Sequence, residues 1–593
     1  MKARARGDFS ADRRLLRLSA ISLAVGVAGA VLATLLLALI AAFTNLFYFQ
    51  RLSLSPRAPA GTHLGLLAVL VPVAGGLVVG VMARYGSEAI RGHGIPEALE
   101  AILYGRSLLE PRVAVLKPLS SAISIGSGGP FGAEGPIIMT GGAFGSIVAR
   151  RFRLSAAERK TLLVAGAAAG MSATFATPVA AVLLAVELLL FEWKPRSLVP
   201  VALASAIASA LRVRLLGPGP LFPVAPHAPL AGAGLLAAAG VGLLAGAFSS
   251  LLSTALYRLE DAFERLPLHW MWRPALGGLV VGLGGLLQPR ALGVGYDVIG
   301  DLLGGRLGLR LVVALVAVKC GIWLVSLASG TSGGVLAPLL IMGCGLGALE
   351  AAVLPSAGAP ALWPLVGMAA VLGGMMRAPL TAVVFALELT RDVDALAPLL
   401  VASTFAYAFT VLVMKRSILT EKVARRGRDV FREYEVDPLE RFRVSDAMTR
   451  DVETIPASLP AADVWKGYFG PGRKRRGFPV VDGSGGLVGV LTGSDLVNEA
   501  LEEPEPSRTA ADLIRGEPLF ARESETCRAA AERMAAAGIG RLPVLPDDGG
   551  RNVVGILTRS DLLMPRLVRF EDEQVDGKAP GRAAGQPPAP SAS

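Results

Sequence analysis

A chain of 593 residues with 53% apolar and 18% charged residues and a mean hydropathy of +0.55 is too apolar for an ordinary soluble protein, and its composition excludes a disordered or collagen-like one. Its three cysteines (Cys320, Cys344, Cys527) are too few and too scattered for a disulfide framework or a zinc cluster. The net charge of +11 sits beside apolar segments, which points to membrane topology and away from nucleic acid.

From the N-terminus, Lys2, Arg4, Arg6, Arg13, Arg14 and Arg17 precede the first apolar run; Lys415, Arg416, Lys422, Arg425, Arg426 and Arg428 follow the last. The positive-inside rule then predicts a multi-pass protein of the cell membrane with both termini cytoplasmic, residues 1–17 forming a basic cytosolic arm. A helix needs about 20 apolar residues to cross a bilayer. Runs of that kind at 19–50, 64–83, 161–186, 228–257 and 395–414 predict at least five spans. The first is too long for a signal-peptide core and reads as a retained helix. Shorter apolar stretches at 123–148, 274–289, 311–318, 335–349 and 362–384 carry Gly and Pro and predict broken or tilted helices.

The stretch from Ser127 through Pro136 is echoed by the one from Ser329 through Pro338. Gly128, Gly132, Pro136, Gly141 and Gly145 recur 202 residues later as Gly330, Gly334, Pro338, Gly343 and Gly347; Gly166, Pro178 and Glu187 recur at an offset of 201 as Gly367, Pro379 and Glu388. Two related halves, about 65–215 and 270–420, with interrupted helices in corresponding places are the pattern of a transporter or channel core with its site between the halves. Glycine loops that open helices present backbone N–H groups and the positive end of the helix dipole, so the ligand they imply is an anion. Gly141 and Gly145, by contrast, read as positions of close helix packing. Glu134 lies inside the first loop, where the amides that attract a mobile anion also attract a tethered carboxylate. Ionised, it plugs the path; protonated, it loses that attraction, which links permeation to protons.

At these residues the sequence resembles the CLC family of chloride channels and chloride/proton exchangers, over about residues 18–427. Gly132-Ala133-Glu134-Gly135-Pro136 is similar to the family's Gly-Lys/Arg-Glu-Gly-Pro signature, Gly92-His93-Gly94-Ile95-Pro96 to its Gly-Ser-Gly-Ile-Pro loop, and Gly334-Val335-Leu336-Ala337-Pro338 to its Gly-x-Phe-x-Pro loop. The resemblance implies a mostly α, polytopic membrane fold with an inverted-repeat core and broken helices. It also implies a homodimer with one pore per subunit, Glu134 as the gating and proton-linked group, and His93, Gly94, Ile95, Ala133, Gly135, Val335, Leu336 and Leu419 around the anion, with the amides of Val335 and Leu336 on the central site. Three positions depart from the family: His93 replaces an anion-touching serine, Leu419 a pore tyrosine, and Leu188, beside Glu187, an internal proton-relay glutamate. Leucine neither carries a proton nor donates a hydrogen bond. The expectation is therefore a chloride pathway gated by Glu134, channel-like or weakly proton-coupled; the alternatives are an obligate chloride/proton antiporter, or a pore with altered anion preference, such as nitrate or fluoride, because of His93. His93 can serve as a neutral donor, a charged ligand or a packing group. His63, His227 and His269 read as interfacial. Lys117 and Lys319, alone in apolar stretches, read either as positive charges for the path or as side chains that snorkel to an interface.

Past a linker at 428–443, mixed charge and alternating strand-like and helical patterns predict a soluble α/β unit. Gly477-Phe478-Pro479-Val480-Val481 with Gly489 through Leu496 is echoed by Arg541-Leu542-Pro543-Val544-Leu545 with Gly555 through Leu562. This resembles a tandem pair of cytosolic CBS domains at 444–503 and 508–567. The resemblance makes Thr492, Asp495, Thr558 and Asp561 candidate ribose contacts for an adenine nucleotide, with Arg473, Lys474, Arg475 and Arg476 available to phosphates; a pair that only braces a dimer is the alternative. Residues 571–593, rich in Pro, Gly and Ala, read as a disordered tail. An intramembrane metalloprotease would need a His-Glu-x-x-His motif, and none of the histidines has that spacing. A magnesium channel would need carboxylates on the cation, where the interrupted loops offer glycine amides and a single Glu134. The expected protein is not an enzyme, requires no cofactor, carries chloride and, under the coupled readings, protons, and works in the lipid bilayer.

Overall fold

The computed structural model describes residues 14–224, 227–230, 232–354, 361–428, 430, 439, 442–470, 477–493, 495–496, 508–514 and 516–564. The basic residues before Arg14, the 473–476 cluster and the 571–593 tail lie outside them. The chain divides into two compact units, Met1–Tyr434 and Glu435–Ser593.

The first unit is helical throughout. Its elements are α1 (Arg14–Phe49), α2 (Leu70–Tyr85), α3 (Ile95–Leu103), α4 (Val113–Gly126), α5 (Glu134–Arg151), α6 (Ala156–Phe175), α7 (Pro178–Leu184), α8 (Pro195–Leu215), α9 (Ala233–Arg265), α10 (Arg273–Leu287), α11 (Tyr296–Leu303), α12 (Leu309–Ala328), α13 (Leu336–Glu350), α14 (Leu362–Met376), α15 (Pro379–Thr390), α16 (Leu396–Val413) and α17 (Ile418–Arg425). Among the described residues six helical stretches are long and apolar enough to cross a membrane: Arg14–Phe49, Gly65–Tyr85, Pro195–Leu215, Ala233–Arg265, Leu309–Ala328 and Leu396–Arg425. They present leucine and valine outward, as Leu23, Val27, Val31 and Leu35 do on α1, while α5, α6, α13 and α14 lie buried inside. A helix that is apolar all round has no polar face to turn to water and fits lipid on one side and protein on the other.

Two expectations need correction, and one span was not foreseen. The apolar run 161–186 is not one span: α6 ends at Phe175, Ala176 adopts a left-handed conformation with φ 60°, and Pro178 starts α7. Proline cannot donate the next helical hydrogen bond and pushes the residue before it out of the helical region. The stretch 311–318 is no fragment but part of a continuous 20-residue helix, α12, whose apolar run is broken only on paper by Lys319. The span α8 was hidden in the sequence by Pro200, Arg212 and Arg214.

The two halves repeat element by element. Helix α1 packs on α4, α6 and α8 just as α9 packs on α12, α14 and α16, and α5 on α6 as α13 on α14. Glycine makes these approaches possible at defined points. A Cβ on Gly141 or Gly166 would land on the other's carbonyl oxygen, and Gly343 and Gly367 face each other in the same way. Helices α2 and α10 cross reciprocally, Gly76 against the carbonyl of Pro274 and Gly278 against that of Pro72. The carboxylates follow suit. Glu187 accepts from the N–H (2.9 Å) and hydroxyl (2.6 Å) of Thr381 at the start of α15, and Glu388 accepts from Val179 (3.0 Å) and Ala180 (2.8 Å) at the start of α7. Each half caps a helix of the other with a charge-assisted bond that also suits the helix dipole.

The second unit holds two three-stranded sheets of the same design. Strand β1 (Ile455–Pro456) pairs parallel to β2 (Gly477–Val481), which pairs antiparallel to β3 (Leu487–Thr492); β4 (Ala521–Arg522), β5 (Arg541–Leu545) and β6 (Gly555–Thr558) repeat the order. Two small apolar cores result, one around Phe478, Val480 and Leu491, the other around Leu542, Val544 and Leu557.

Candidate anion site

Three glycine loops converge inside the first unit. Gly132 and Gly334 exchange backbone hydrogen bonds, 3.1 Å from Gly132 N to the Gly334 oxygen and 2.9 Å in return. Gly333 N reaches the Gly92 oxygen at 3.4 Å, and Ser332 bonds Ser120 (3.2 Å) and Ser121 (2.8 Å) on α4. A Cβ on Gly135 would collide with the His93 carbonyl, and Gly94, with φ 91°, holds a conformation that glycine tolerates best. The closeness of the backbones is therefore written into these glycines.

Helices α5 and α13 both begin where the loops meet. Glu134 opens α5 and Leu336 opens α13, so the two residues are repeat counterparts 202 positions apart. The Glu134 carboxylate crosses to the other half: Oε1 accepts from the Leu336 N–H and, at 3.2 Å, from the Ala337 N–H. Its other oxygen, Oε2, is sealed from solvent without a partner. A tethered carboxyl group thus sits on the start of α13, where unpaired amides and the helix dipole favour negative charge. Whatever small anion takes that position meets the same amides once the carboxylate leaves.

The predicted residues gather here with differences. Ala133, Gly135, Val335 and Leu336 are buried around the carboxylate. The carboxylate accepts from the Leu336 and Ala337 amides, and Val335 is the N-cap residue of α13. Ala337, the next residue of the motif, is not among the predicted residues. His93, Gly94 and Ile95 form the loop and first turn leading into α3; His93 is buried, its Nδ1 has no partner, and Lys117, Lys422, Arg426 and Glu97 surround it electrostatically. Leu419 is buried on α17, which packs on α3. Leu188 is buried in a π-helical turn over Ala185–Leu190, and its neighbour Glu187 is committed to Thr381.

Neither buried lysine snorkels. Lys117 donates to the carbonyls of Ile90 (2.7 Å) and Gly92 (2.8 Å), Lys319 to those of Ala291 and Gly293 (2.9 Å each). Each ties down the loop that enters the short helix α3 or α11. Further along, Arg426 spans Glu97 (3.1 Å) and Glu100 (2.6 Å), so the segment after α17 is held to α3 by ion pairs. His227 is half of a pair with Asp392 at 2.8 Å.

In the second unit Thr492 donates to Asp495 through its N–H (2.8 Å) and hydroxyl (2.6 Å), and Thr558 does the same with Asp561 (2.7 and 2.8 Å). The four predicted residues thus form two identical turns at the ends of β3 and β6, each carboxylate engaged by its own threonine.

Comparison with known proteins agrees with this architecture. The family model described as voltage gated chloride channel matches residues 74–411, and the CBS domain model matches residues 444–502 and 510–565. The "Putative chloride channel protein ClcB-like" of Ralstonia nicotianae is 30% identical over 392 residues, 63% of this chain and 91% of that protein. The H(+)/Cl(-) exchange transporter ClcA of Klebsiella pneumoniae is 30% identical over 419 residues, 67% of this chain and 87% of its own. A solved slow cyanobacterial Cl-/H+ antiporter superimposes with a TM-score of 0.62 at 22% identity over 70% of this chain and 98% of that one, a likeness of fold.

Proposed function

Because the chain belongs to the voltage gated chloride channel family, we propose that it moves chloride across a membrane by letting the anion displace the Glu134 carboxylate from the amides of Leu336 and Ala337, with protonation of Glu134 favouring the displaced state. The observation that carries this reading is the Glu134 carboxyl group itself, seated on the amides at the start of α13 where a free anion would bind. Binding a proton removes the charge that holds it there. Each departure of the side chain can then carry a proton one way while chloride moves the other, and two of the similar proteins carry the name of such an exchanger or antiporter. His93, Gly94, Ile95, Ala133, Gly135 and Val335 belong to the proposed path as its walls, and Leu419 closes it on the α17 side.

A looser coupling is favoured by Leu188. A buried leucine cannot relay a proton, and Glu187 beside it is occupied by Thr381. Reconstitution decides between the two. With the protein in liposomes and an outward or inward chloride gradient, obligate exchange drives protons uphill in fixed ratio and changes external pH; a loosely coupled or channel-like path dissipates the chloride gradient with little proton movement. Vesicles that leak potassium and retain chloride would end the proposal. The homodimer is part of it, and so is an adenine nucleotide at the two Thr-Asp turns, supported by their identical geometry in both CBS repeats; titration of the whole protein with ATP or AMP, with no heat and no thermal shift at millimolar concentration, would remove the nucleotide.

A further inference from the structure

Two of the buried oxygens that lack partners belong to Glu134 and to a residue on which its charge acts. Glu134 Oε2 is buried without a hydrogen bond, and so is the hydroxyl of Tyr296, the first residue of α11. Among the described residues, Glu134 is the charged group that acts on this hydroxyl, while the charge of the nearby Asp297 acts on Lys319. The Tyr296 ring is held edge-on between Phe175 (6.1 Å between centroids) and Phe222 (6.2 Å), and Phe175 is backed by Phe385 at 5.2 Å. Phe222 is in turn pinned through its N–H to the Leu389 carbonyl at 2.9 Å. The phenol is therefore a fixed donor with nothing to donate to while Glu134 rests on the amides. A buried hydroxyl without a partner loses stability, and an aromatic cage of this kind would hold phenylalanine equally well. The hydroxyl makes sense if a partner arrives during the working cycle.

We propose that Tyr296 is the docking group for Glu134 after an anion has displaced its carboxylate from Leu336 and Ala337, the phenol O–H donating to the carboxylate in its second position. This rests on the gating reading above and adds the other end of the movement. It makes Tyr296 a positioning residue that acts through Glu134.

The test is Tyr296→Phe, which keeps the ring in its cage. Losing one hydrogen bond to the displaced, charged carboxylate lowers chloride flux at neutral pH by on the order of three- to tenfold. The deficit shrinks as pH falls, because a protonated Glu134 leaves the amides unaided, so the acid activation profile shifts to lower pH. The thermal midpoint stays or rises, since an unpaired buried hydroxyl has gone. In a Glu134→Ala background the difference between Tyr and Phe vanishes. An unchanged flux and pH profile in Tyr296→Phe overturns the inference, and so does a loss that persists in the Glu134→Ala background. If Glu134→Ala itself keeps the native acid response, the gating reading has failed, a separate result.

Discussion

The two halves of the membrane unit are alike in scaffold and unlike at the site. Several clamps come in twins: Lys117 and Lys319 on the entry loops, Glu187 and Glu388 on the opposite helix starts, Gly141 and Gly343 at the close crossings. The chemistry has no twins. Glu134 corresponds to Leu336, His93 to Val294, and Ile95 to Tyr296. A backbone position whose job is close approach or loop restraint keeps its residue in both copies, since each copy meets the same geometric demand. A side chain that competes with an anion is needed once, and the other copy supplies the amides it competes for.

The largest effect that would break this contrast lies at Glu134. Glu134→Gln keeps the size but holds no charge at any pH, so chloride flux becomes insensitive to acid and proton movement driven by a chloride gradient falls at least about tenfold. Recording vesicle flux from pH 4 to 8 checks it; a variant with the native pH profile would place the gate elsewhere. Next come the lysines. Lys117→Met and Lys319→Met each leave two buried carbonyls unpaired, at about 2–4 kcal/mol after allowing for the relief of burying no charge. The pair should lower the thermal-inactivation midpoint in detergent by similar amounts, because the two clamps are geometric twins; a large inequality would deny them equal work.

How much of this was legible in sequence follows the same division. Repeat offsets in Gly and Pro expose the scaffold, because a glycine that admits a carbonyl of the next helix cannot be replaced without moving backbone. The glycine loops and Glu134 were legible for the same reason. The reciprocity of Glu187 and Glu388 was not: the offset paired them, but nothing in a linear chain says that each reaches into the opposite half. Tyr296 was missed because its ring neighbours, Phe175 and Phe222, are distant from it in sequence. The spans were misjudged where single residues misled. Lys319 and Arg212 looked like interruptions, yet burial and hydrogen bonds to backbone carbonyls absorb both; Pro178, in contrast, does break the chain.

A smaller effect sharpens the unlike side of the comparison. The His93 carbonyl lies against Gly135, and the buried His93 Nδ1 has no partner; in the proposed path the His93 ring would set the width and donor character on the α3 side. His93→Ser exchanges an imidazole for a small hydroxyl and should change the chloride-to-nitrate flux ratio a few-fold, about 1 kcal/mol in relative barrier. Parallel flux measurements with each anion test it, and an unchanged ratio assigns His93 to packing.

The smallest predicted effect tests the like side. In Glu187→Gln and Glu388→Gln the amide oxygen can still accept from Thr381 or from Val179 and Ala180, but without charge, so each bond weakens and the favourable interaction with the helix start is lost, about 1 kcal/mol in all. Equal small drops in thermal midpoint, and little change in chloride flux, are expected if both carboxylates only hold the halves together. Glu187 is the informative one, because it adjoins Leu188, where the family resemblance puts a proton relay. If Glu187→Gln cut proton coupling while Glu388→Gln did not, the twin carboxylates would have different jobs, and the relay lost at Leu188 would have moved one residue along the same turn.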